Sequence, residues 1–131
     1  MATTSVHSIY VTQAQALEYI VNPEKTEDGT LVQNFACSND PVIAAEMFDA
    51  VRNEKGTGRG IILARHIHQN FAPGETTPEE AMQIGLELCQ KLFGNEYQFV
   101  IATHTDKQHI HNHIIVNLSL IHILTLPTIL R

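Results

Sequence analysis

The sequence predicts an α/β or α+β fold in which the helices lie mainly on one face of a single sheet. The chain has 131 residues, of which 44% are apolar, so it can bury one hydrophobic core but not two. Its strand and helix signals follow the order β-α-(β)-α-β-α-β-β, and such an order is typical of a sheet that helices cover.

The composition excludes several classes of protein. Cys37 and Cys89 are too few for a disulfide scaffold and lack CxxC spacing, so we interpret them as thiols in a reducing compartment. The N-terminus lacks the basic and apolar regions of a signal peptide, and we expect a cytoplasmic protein with no membrane partner. The net charge of -6 argues against a protein that bulk electrostatics alone would hold on nucleic acid.

The first half of the chain contains two strand signals and two helix signals. Residues 4–10 alternate loosely and predict a strand, and residues 31–36 predict a second, short one. A short helix is predicted between residues 12 and 22. Asp40 at the N-cap and Pro41 at the first helical position predict a longer helix. The inward face predicted for this longer helix consists of Ile43, Ala44, Met47, Phe48 and Val51.

The second half contains three strand signals and one strong helix signal. Residues 61–68 form an apolar run that becomes alternating, which is typical of a strand, and residues 97–103 and 110–118 predict two more. The sequence Thr-Pro-Glu-Glu at residues 77–80 is a capping box with proline at the first helical position, and Gly94 suits the end of that helix. Its predicted inward face consists of Ala81, Ile84, Leu88, Leu92 and Phe93.

The last 14 residues, 118–131, are apolar without helical or alternating order. His122 and Pro127 interrupt the run and it is too short to span a membrane. We interpret it as a non-native tail, and we expect the natural chain to continue beyond about residue 117.

The histidines point to a functional site. The chain has eight, and four of them lie between His104 and His113. If a strand begins near Ile110, then His109, His111, His113 and Asn117 share one of its faces, because side chains two residues apart point the same way. A hairpin can return His104, at the end of the preceding strand, to the side of this pair.

Three neutral imidazoles that converge in this way are suited to a divalent ion. We therefore predict that His104, His111 and His113 are metal ligands. Asp106 is a candidate to orient one of these rings through the nitrogen that does not bind metal, and His109 and Asn117 are further candidates for such a supporting role.

Three stretches of the chain resemble the motifs of plasmid and conjugative-element relaxases, the mobilisation nucleases of the histidine-hydrophobe-histidine endonuclease superfamily. The stretches are Tyr-Ile-Val-Asn-Pro-Glu-Lys-Thr at 19–26, His-Gln-Asn-Phe-Ala-Pro-Gly-Glu at 68–75, and the histidine segment from 104 to 117. They occur in the family's order and together span residues 1–117. One departure is Asn112, which occupies the position between two histidines where the superfamily has a hydrophobe.

This resemblance implies a truncated α+β fold with an antiparallel-rich central sheet, and residues 1–117 would be the N-terminal part of a relaxase catalytic domain. It also implies an enzyme that nicks single-stranded DNA at an origin of transfer and stays attached to the 5′ phosphate. Tyr19 would be the nucleophile and Glu75 an active-site carboxylate. Magnesium or manganese is the metal that the family implies, whereas imidazole ligands alone also allow zinc, nickel or copper.

The resemblance also implies partners. Single-stranded DNA would be the substrate, and accessory mobilisation proteins are further candidates. Lys25, Arg65 and Lys107 flank the three motifs and are candidates to contact phosphates.

Two other functions remain open from the sequence. The stretch from His109 to Ile115 resembles the signature of histidine-triad nucleotide hydrolases, although that interpretation explains neither Tyr19 nor His104. Alternatively, the chain is an inactive fragment that binds metal or DNA without nicking it.

Overall fold

The computed structural model describes residues 3–9, 13–27, 29–54, 64–106 and 109–120, and the elements in these ranges confirm the predicted order. The strands are β1 (Thr3–Ile9), β2 (Val32–Phe35), β3 (Ala64–Asn70), β4 (Tyr97–His104) and β5 (His111–Leu120), and the helices are α1 (Gln13–Ile20), α2 (Pro41–Glu54) and α3 (Pro78–Phe93). Residues 61–63 of the predicted third strand lie outside the described residues, as do Lys107 and the tail from 121 to 131.

All five strands form one sheet in the order β1-β3-β5-β4-β2, and every pair of neighbours is antiparallel. This confirms the α+β class with an antiparallel sheet. The strand that carries most of the histidine segment, β5, lies at the centre, between β3 and β4. A central strand has neighbours on both sides, so side chains from three strands can meet around β5.

Helices cover both faces of the sheet. Helices α1 and α2 pack on one face around a cluster that includes Leu17, Phe48 and Ile115. Helix α3 packs on the opposite face around a cluster that includes Met82, Ile101 and Ile114. Two of the three helices thus share one face, as the sequence predicts, and the third closes the other.

The predicted helix caps are present. The Asp40 carboxylate accepts hydrogen bonds from the backbone N–H groups of Val42 and Ile43 at 2.9 and 3.1 Å. Thr77 and Glu80 form the reciprocal capping box at the start of α3, and Gly94 ends that helix with a positive φ of 56°. Such caps satisfy backbone groups that have no partner within the helix, which explains why these helices begin and end where they do.

The predicted inward faces of α2 and α3 were partly wrong. In α2, Ile43 and Met47 are exposed, and in α3, Ile84 and Leu92 are exposed. The buried residues are Ala44, Ala45 and Phe48 in α2, and Ala81, Met82, Gly85 and Cys89 in α3. Small residues therefore form much of both contacts, because they let the helix backbones approach the sheet, whereas an apolar periodicity alone favours the larger side chains.

Strand β5 extends three residues beyond Asn117 and pairs with β4 as far as Leu120, opposite Tyr97. The interpretation of residues 118–131 as a non-native tail remains a prediction. Within the described residues, no helix is both long enough and apolar enough to cross a membrane.

Candidate metal centre

Three imidazole rings meet where β4 and β5 form a hairpin. His104 is the direct cross-strand partner of His111, and His113 follows two residues later on the same face of β5. The ring centroids are 4.1 Å apart for His104 and His113, 4.9 Å for His111 and His113, and 5.1 Å for His104 and His111. All three side chains are buried, and one nitrogen of each lies within 4.8 Å of the other two. The predicted cluster of His104, His111 and His113 therefore forms.

These three residues fit a metal ion because each has a buried nitrogen without a hydrogen-bond partner among the described residues. His104 Nδ1, His111 Nδ1 and His113 Nε2 are buried and have no hydrogen-bond partner among the residues that the structure describes. A buried polar atom without a partner costs about 1–3 kcal/mol, so three in one cluster indicate a ligand. Imidazole nitrogen is a common ligand for divalent transition metals, and the donor set therefore fits such an ion.

Contacts on the far side of two rings orient them. The Nε2 of His104 lies 2.8 Å from the carbonyl oxygen of Ile20, and because a carbonyl can accept only, Nε2 carries the proton. This leaves the lone pair on the unpartnered Nδ1. The Nδ1 of His113 lies 2.9 Å from Nε2 of His66, which leaves His113 Nε2 facing the cluster. Such outer contacts fix the tautomer and the orientation of a ligand ring.

Burial keeps the three rings neutral. Desolvation lowers the pKa of His104, and it lowers the pKa of His111 to about 4 and of His113 to about 2, with a further contribution from neighbouring imidazoles. A ring with a pKa this far below 7 is unprotonated at neutral pH. Protons therefore do not compete with a metal ion for these nitrogens at neutral pH.

Tyr19 lies beside the three histidines. Its ring centroid is 5.8 Å from those of both His104 and His113, and half of the side chain is exposed to solvent. The hydrogen bond from His104 to Ile20, the residue after Tyr19, ties the end of α1 to β4. The candidate nucleophile and the candidate metal ligands, 85 or more residues apart in the chain, are thus brought together on one face of the sheet.

Lys25 and Asp106 form an ion pair next to Tyr19. The Nζ of Lys25 donates to Oδ2 of Asp106 at 3.0 Å and lies 5.4 Å from the centroid of the Tyr19 ring. This hydrogen bond raises the pKa of Lys25 and lowers that of Asp106. Asp106 is the candidate to orient an imidazole, and in the structure its carboxylate binds the ammonium group that faces the tyrosine.

Two predicted site residues lie away from the cluster. Asn117 is on the same sheet face as His113 but farther along β5, where its amide donates to the carbonyl of Phe48 and to Gln98 Oε1. Arg65 is opposite Val116 in the register of β3 and β5, which places it on the α3 face of the sheet. Arg65 lies on the other face because side chains alternate between the two faces of a strand. Asn117 lies on the same face as His113 but farther along β5, and the alternation in the sequence does not account for the distance between the two side chains.

The other two described candidates lie at the edges of the site. The His109 ring is half-buried, 5.8 Å from that of His111, just before β5 begins. Glu75 is exposed in the connection between β3 and α3, where its carboxylate accepts a hydrogen bond from the backbone N–H of Ala72 at 2.8 Å. Lys107 lies outside the described residues.

The sequence analysis missed two histidines of the site, His66 and His68 on β3. His68 is directly opposite His113, and the ring centroids of His66 and His113 are 5.1 Å apart. The signal was available, since two histidines two residues apart on a strand repeat the spacing of His111 and His113. Only the tertiary structure shows that β3 pairs with β5 and so brings the two histidine pairs side by side.

Asn112 serves the opposite face of β5. Its amide donates to Gln69 Oε1 at 2.9 Å and to the carbonyl of Ala81 at 2.7 Å, and its oxygen accepts from the Thr103 hydroxyl at 2.7 Å. The side chain is fully buried beneath α3. The polar residue between the two histidines therefore anchors β5 to β3, β4 and α3.

Comparison with known proteins identifies relatives of the chain. Residues 19–120 match the family model described as relaxase, MobA/VirD2-like, nuclease domain. The chain is 35% identical over 123 residues to the group II intron-interrupted relaxase LtrB of Lactococcus lactis subsp. cremoris (strain MG1363), an alignment that covers 76% of this chain and 22% of that protein. It is 36% identical over 117 residues to a protein rlx of Staphylococcus aureus, covering 89% of this chain and 32% of the relative.

Another protein rlx of Staphylococcus aureus is 52% identical over 56 residues, which cover 43% of this chain and 18% of that protein. The chain thus spans about a fifth to a third of the length of these relatives. The matched stretch begins at Tyr19 and includes all the ring and ion-pair contacts that surround it.

Proposed function

The chain belongs to the MobA/VirD2-like family of relaxase nuclease domains, and on that premise we propose that it nicks single-stranded DNA through a covalent bond between Tyr19 and a 5′ phosphate. The observation that carries this proposal is the position of the Tyr19 ring, 5.8 Å from two of the three clustered imidazoles. The phenol is half-exposed and lies beside three imidazole nitrogens that have no hydrogen-bond partner among the described residues. It is therefore accessible both to a DNA strand and to an ion held by the three histidines.

The reaction is a transesterification. The phenol oxygen of Tyr19 attacks the phosphorus of one phosphodiester, the bond from phosphorus to the 3′ oxygen breaks, and the proton lost by the phenol balances the one gained by the departing 3′ hydroxyl. A free phenol has a pKa of about 10, so it needs activation before it can attack. Its anion is nevertheless stable enough to be a good leaving group in the reverse step. The chemistry therefore suits an enzyme that both cuts and rejoins a strand.

His104, His111 and His113 would hold a divalent ion, which supplies a positive charge for the phosphate oxygens as charge develops on them. The family suggests magnesium or manganese, while three imidazole nitrogens suit zinc, nickel or copper equally well. Two of the three rings have fixed orientations for this role, because His104 is held by Ile20 and His113 by His66.

Lys25 contacts a phosphate of the DNA strand beside the nucleophile in this proposal. Its ammonium group lies 5.4 Å from the Tyr19 ring and is held there by Asp106. A positive charge held at this position is available to a phosphate of the bound strand. Arg65 lies on the other face of the sheet and is not part of this proposal, whereas Lys107 next to Asp106 remains a candidate phosphate contact and Glu75 a candidate carboxylate.

Single-stranded DNA at an origin of transfer is the proposed substrate, and accessory mobilisation proteins are proposed as further partners in the cytoplasm. The chain spans a fifth to a third of its relatives, and its net charge of -6 provides little general attraction for DNA.

A covalent adduct tests the proposal. The whole chain is incubated with a pool of labelled, randomised single-stranded oligonucleotides and manganese, and adducts that survive denaturing electrophoresis are sequenced. We expect an adduct that chelator prevents and that Tyr19→Phe abolishes. Tyr97→Phe is the matched control, because Tyr97 packs beside Phe93 on the α3 face of the sheet.

An adduct that persists in Tyr19→Phe would show that another residue is the nucleophile. Binding of metal and DNA without any adduct in the unaltered chain would favour the interpretation as an inactive binding fragment. The histidine-triad hydrolase interpretation gains no support from the relatives, all of which are relaxases or rlx proteins by their names.

A further inference from the structure

A second group of three histidines lies beside the first. We propose that His66, His68 and His113 form a second site, for a first-row transition-metal ion, which shares His113 with the first group. One nitrogen from each of these three side chains lies within 4.8 Å of the other two. This site concerns metal binding alone and does not depend on the proposed nuclease activity.

The strand register assembles this group. His66 and His68 are two residues apart on β3 and share a face, and His68 pairs directly with His113 on β5. The ring centroids are 4.2 Å apart for His66 and His68 and 4.4 Å for His68 and His113. Since β3 and β5 are adjacent in the sheet, these positions are set by backbone hydrogen bonds rather than by mobile loops.

The spacing of the nitrogens suits a shared ion. His66 Nε2 and His113 Nδ1 are 2.9 Å apart. Two nitrogens that bind one ion at about 2.1 Å lie about 3.0 Å apart when they subtend a right angle and about 3.4 Å apart in tetrahedral geometry. An ion that both nitrogens bind lies off the line that joins them, so binding displaces the proton between the two rings and requires both rings to turn their lone pairs toward the ion.

His113 has one nitrogen for each group. Its Nε2 faces the first group and has no partner among the described residues, whereas its Nδ1 faces His66. When both sites are filled, the His113 ring bridges the two ions as an imidazolate, and its Nδ1 proton is released to solvent. The two positive ions offset the negative charge that this creates on the ring.

The chemistry of the ligands selects the class of ion. Imidazole nitrogens favour zinc, nickel, copper and cobalt, while magnesium prefers oxygen ligands. Both His66 and His68 are partly exposed, so an ion can reach them from solvent, and burial lowers the pKa of His66 to about 4 and lowers that of His68. His7 on β1 lies at the edge of this group, with its ring 5.4 Å from that of His68.

Counting bound ions tests the proposal. The full chain, purified without a histidine tag and stripped of metal, is dialysed against Zn²⁺, and bound zinc is measured per chain by mass spectrometry. We expect two ions in the unaltered chain, one in His68→Gln and one in His104→Gln. Glu87→Gln is the control, since Glu87 is exposed on α3 on the other face of the sheet, and this variant should keep two.

A zinc content that is the same in His68→Gln as in the unaltered chain would overturn the proposal, whatever that content is. Circular dichroism verifies that each variant is folded, and His66→Gln provides an independent test of the same site. His104→Gln impairs the first group alone, so the zinc that this variant retains is bound at the second site. The double variant with His68→Gln should lose that zinc, which tests the second site separately.

Discussion

The two faces of β5 each carry buried polar side chains, and they differ in how those side chains are satisfied. On the α1 and α2 face, three histidine nitrogens are buried with no partner among the described residues. On the α3 face, Asn112 makes three hydrogen bonds of 2.7 to 2.9 Å to Gln69, Ala81 and Thr103. His111, Asn112 and His113 alternate along one strand, so backbone environment does not explain the difference.

This difference distinguishes residues that we expect to bind a ligand from residues that stabilise the fold. A buried amide whose donors and acceptor are all paired stabilises the fold and holds the strand in register. Buried imidazoles with unpaired nitrogens destabilise the metal-free fold and are tolerated where a ligand completes them. We therefore expect changes on the histidine face to affect chemistry and metal binding, and changes on the α3 face to affect stability.

The largest expected effect is on the histidine face. His104→Gln should reduce the rate of adduct formation by on the order of 10³-fold, because it removes both a proposed metal ligand and the contact that ties α1 to β4. The measurement is a time course of adduct formation on a denaturing gel. Glu87→Gln, at an exposed position of α3 on the other face of the sheet, is the control and should change the rate by less than about threefold. A His104→Gln variant as fast as the unaltered chain would remove the histidine group from the reaction.

On the α3 face, Asn112→Ala should lower the free energy of unfolding by about 3 kcal/mol, because it leaves the Ala81 carbonyl, Gln69 and Thr103 without their shared partner. Urea denaturation measures this change. Gln33→Ala, an exposed amide on β2, is the control and should change the value by less than about 0.5 kcal/mol. Equal effects of the two substitutions would contradict the structural role of Asn112.

The pH dependence of stability should come from the histidine face. The folded pKa of His111 is lowered to about 4, so the folded protein resists a proton that the unfolded chain accepts below about 6.5. Stability is therefore highest above pH 6.5 and falls as the pH decreases toward 4. Each ring with a folded pKa of about 4 or lower contributes a loss of about 1 kcal/mol between pH 7 and pH 5.5, so we expect His111 and His113 together to cost the metal-free chain about 2–3 kcal/mol.

Urea denaturation of the metal-free chain across this pH range checks the expected slope. The double variant His111→Gln, His113→Gln should show a shallower slope, since it lacks two of the rings that resist protonation. Asn112→Ala should be less stable at every pH but should keep the slope of the unaltered chain. An unaltered chain whose stability is constant from pH 7 to 5.5 would contradict the assignment of buried neutral imidazoles.

The smallest effect is expected where α3 touches the sheet. A Cβ atom at Gly85 would clash with Ile101 Cδ1 and lie 2.7 Å from Asn112 Nδ2. Gly85→Ala should therefore cost about 1 kcal/mol, since the strain of overpacking exceeds the gain in helix propensity. Thermal denaturation measures the change, and Gln83→Ala at an exposed position of the same helix is the control. A more stable Gly85→Ala would mean that the amide network tolerates displacement.

Much of the local structure was readable from the sequence because its causes are local. Asp40 and the Thr77 capping box identify helix starts through hydrogen bonds that span three residues. The alternation around His111 and His113 predicted that both rings share a face, and the short connection from β4 predicted that His104 returns beside them. These local rules fail where packing against the sheet determines which side chains are buried. In α3, the buried face includes Gly85 and Cys89 instead of Ile84 and Leu92.

By itself, the sequence determined the kinds of element, their order and the three residues of the first histidine group, since period, caps and hairpin length depend on neighbours in the chain. The tertiary structure alone decided that β3 lies beside β5, which brings His66 and His68 to His113 and places Arg65 behind the sheet. It likewise decided that Lys25 meets both Tyr19 and Asp106. Contacts between residues distant in the chain depend on which strands pair and how closely helices pack, and those choices minimise the free energy of the whole domain.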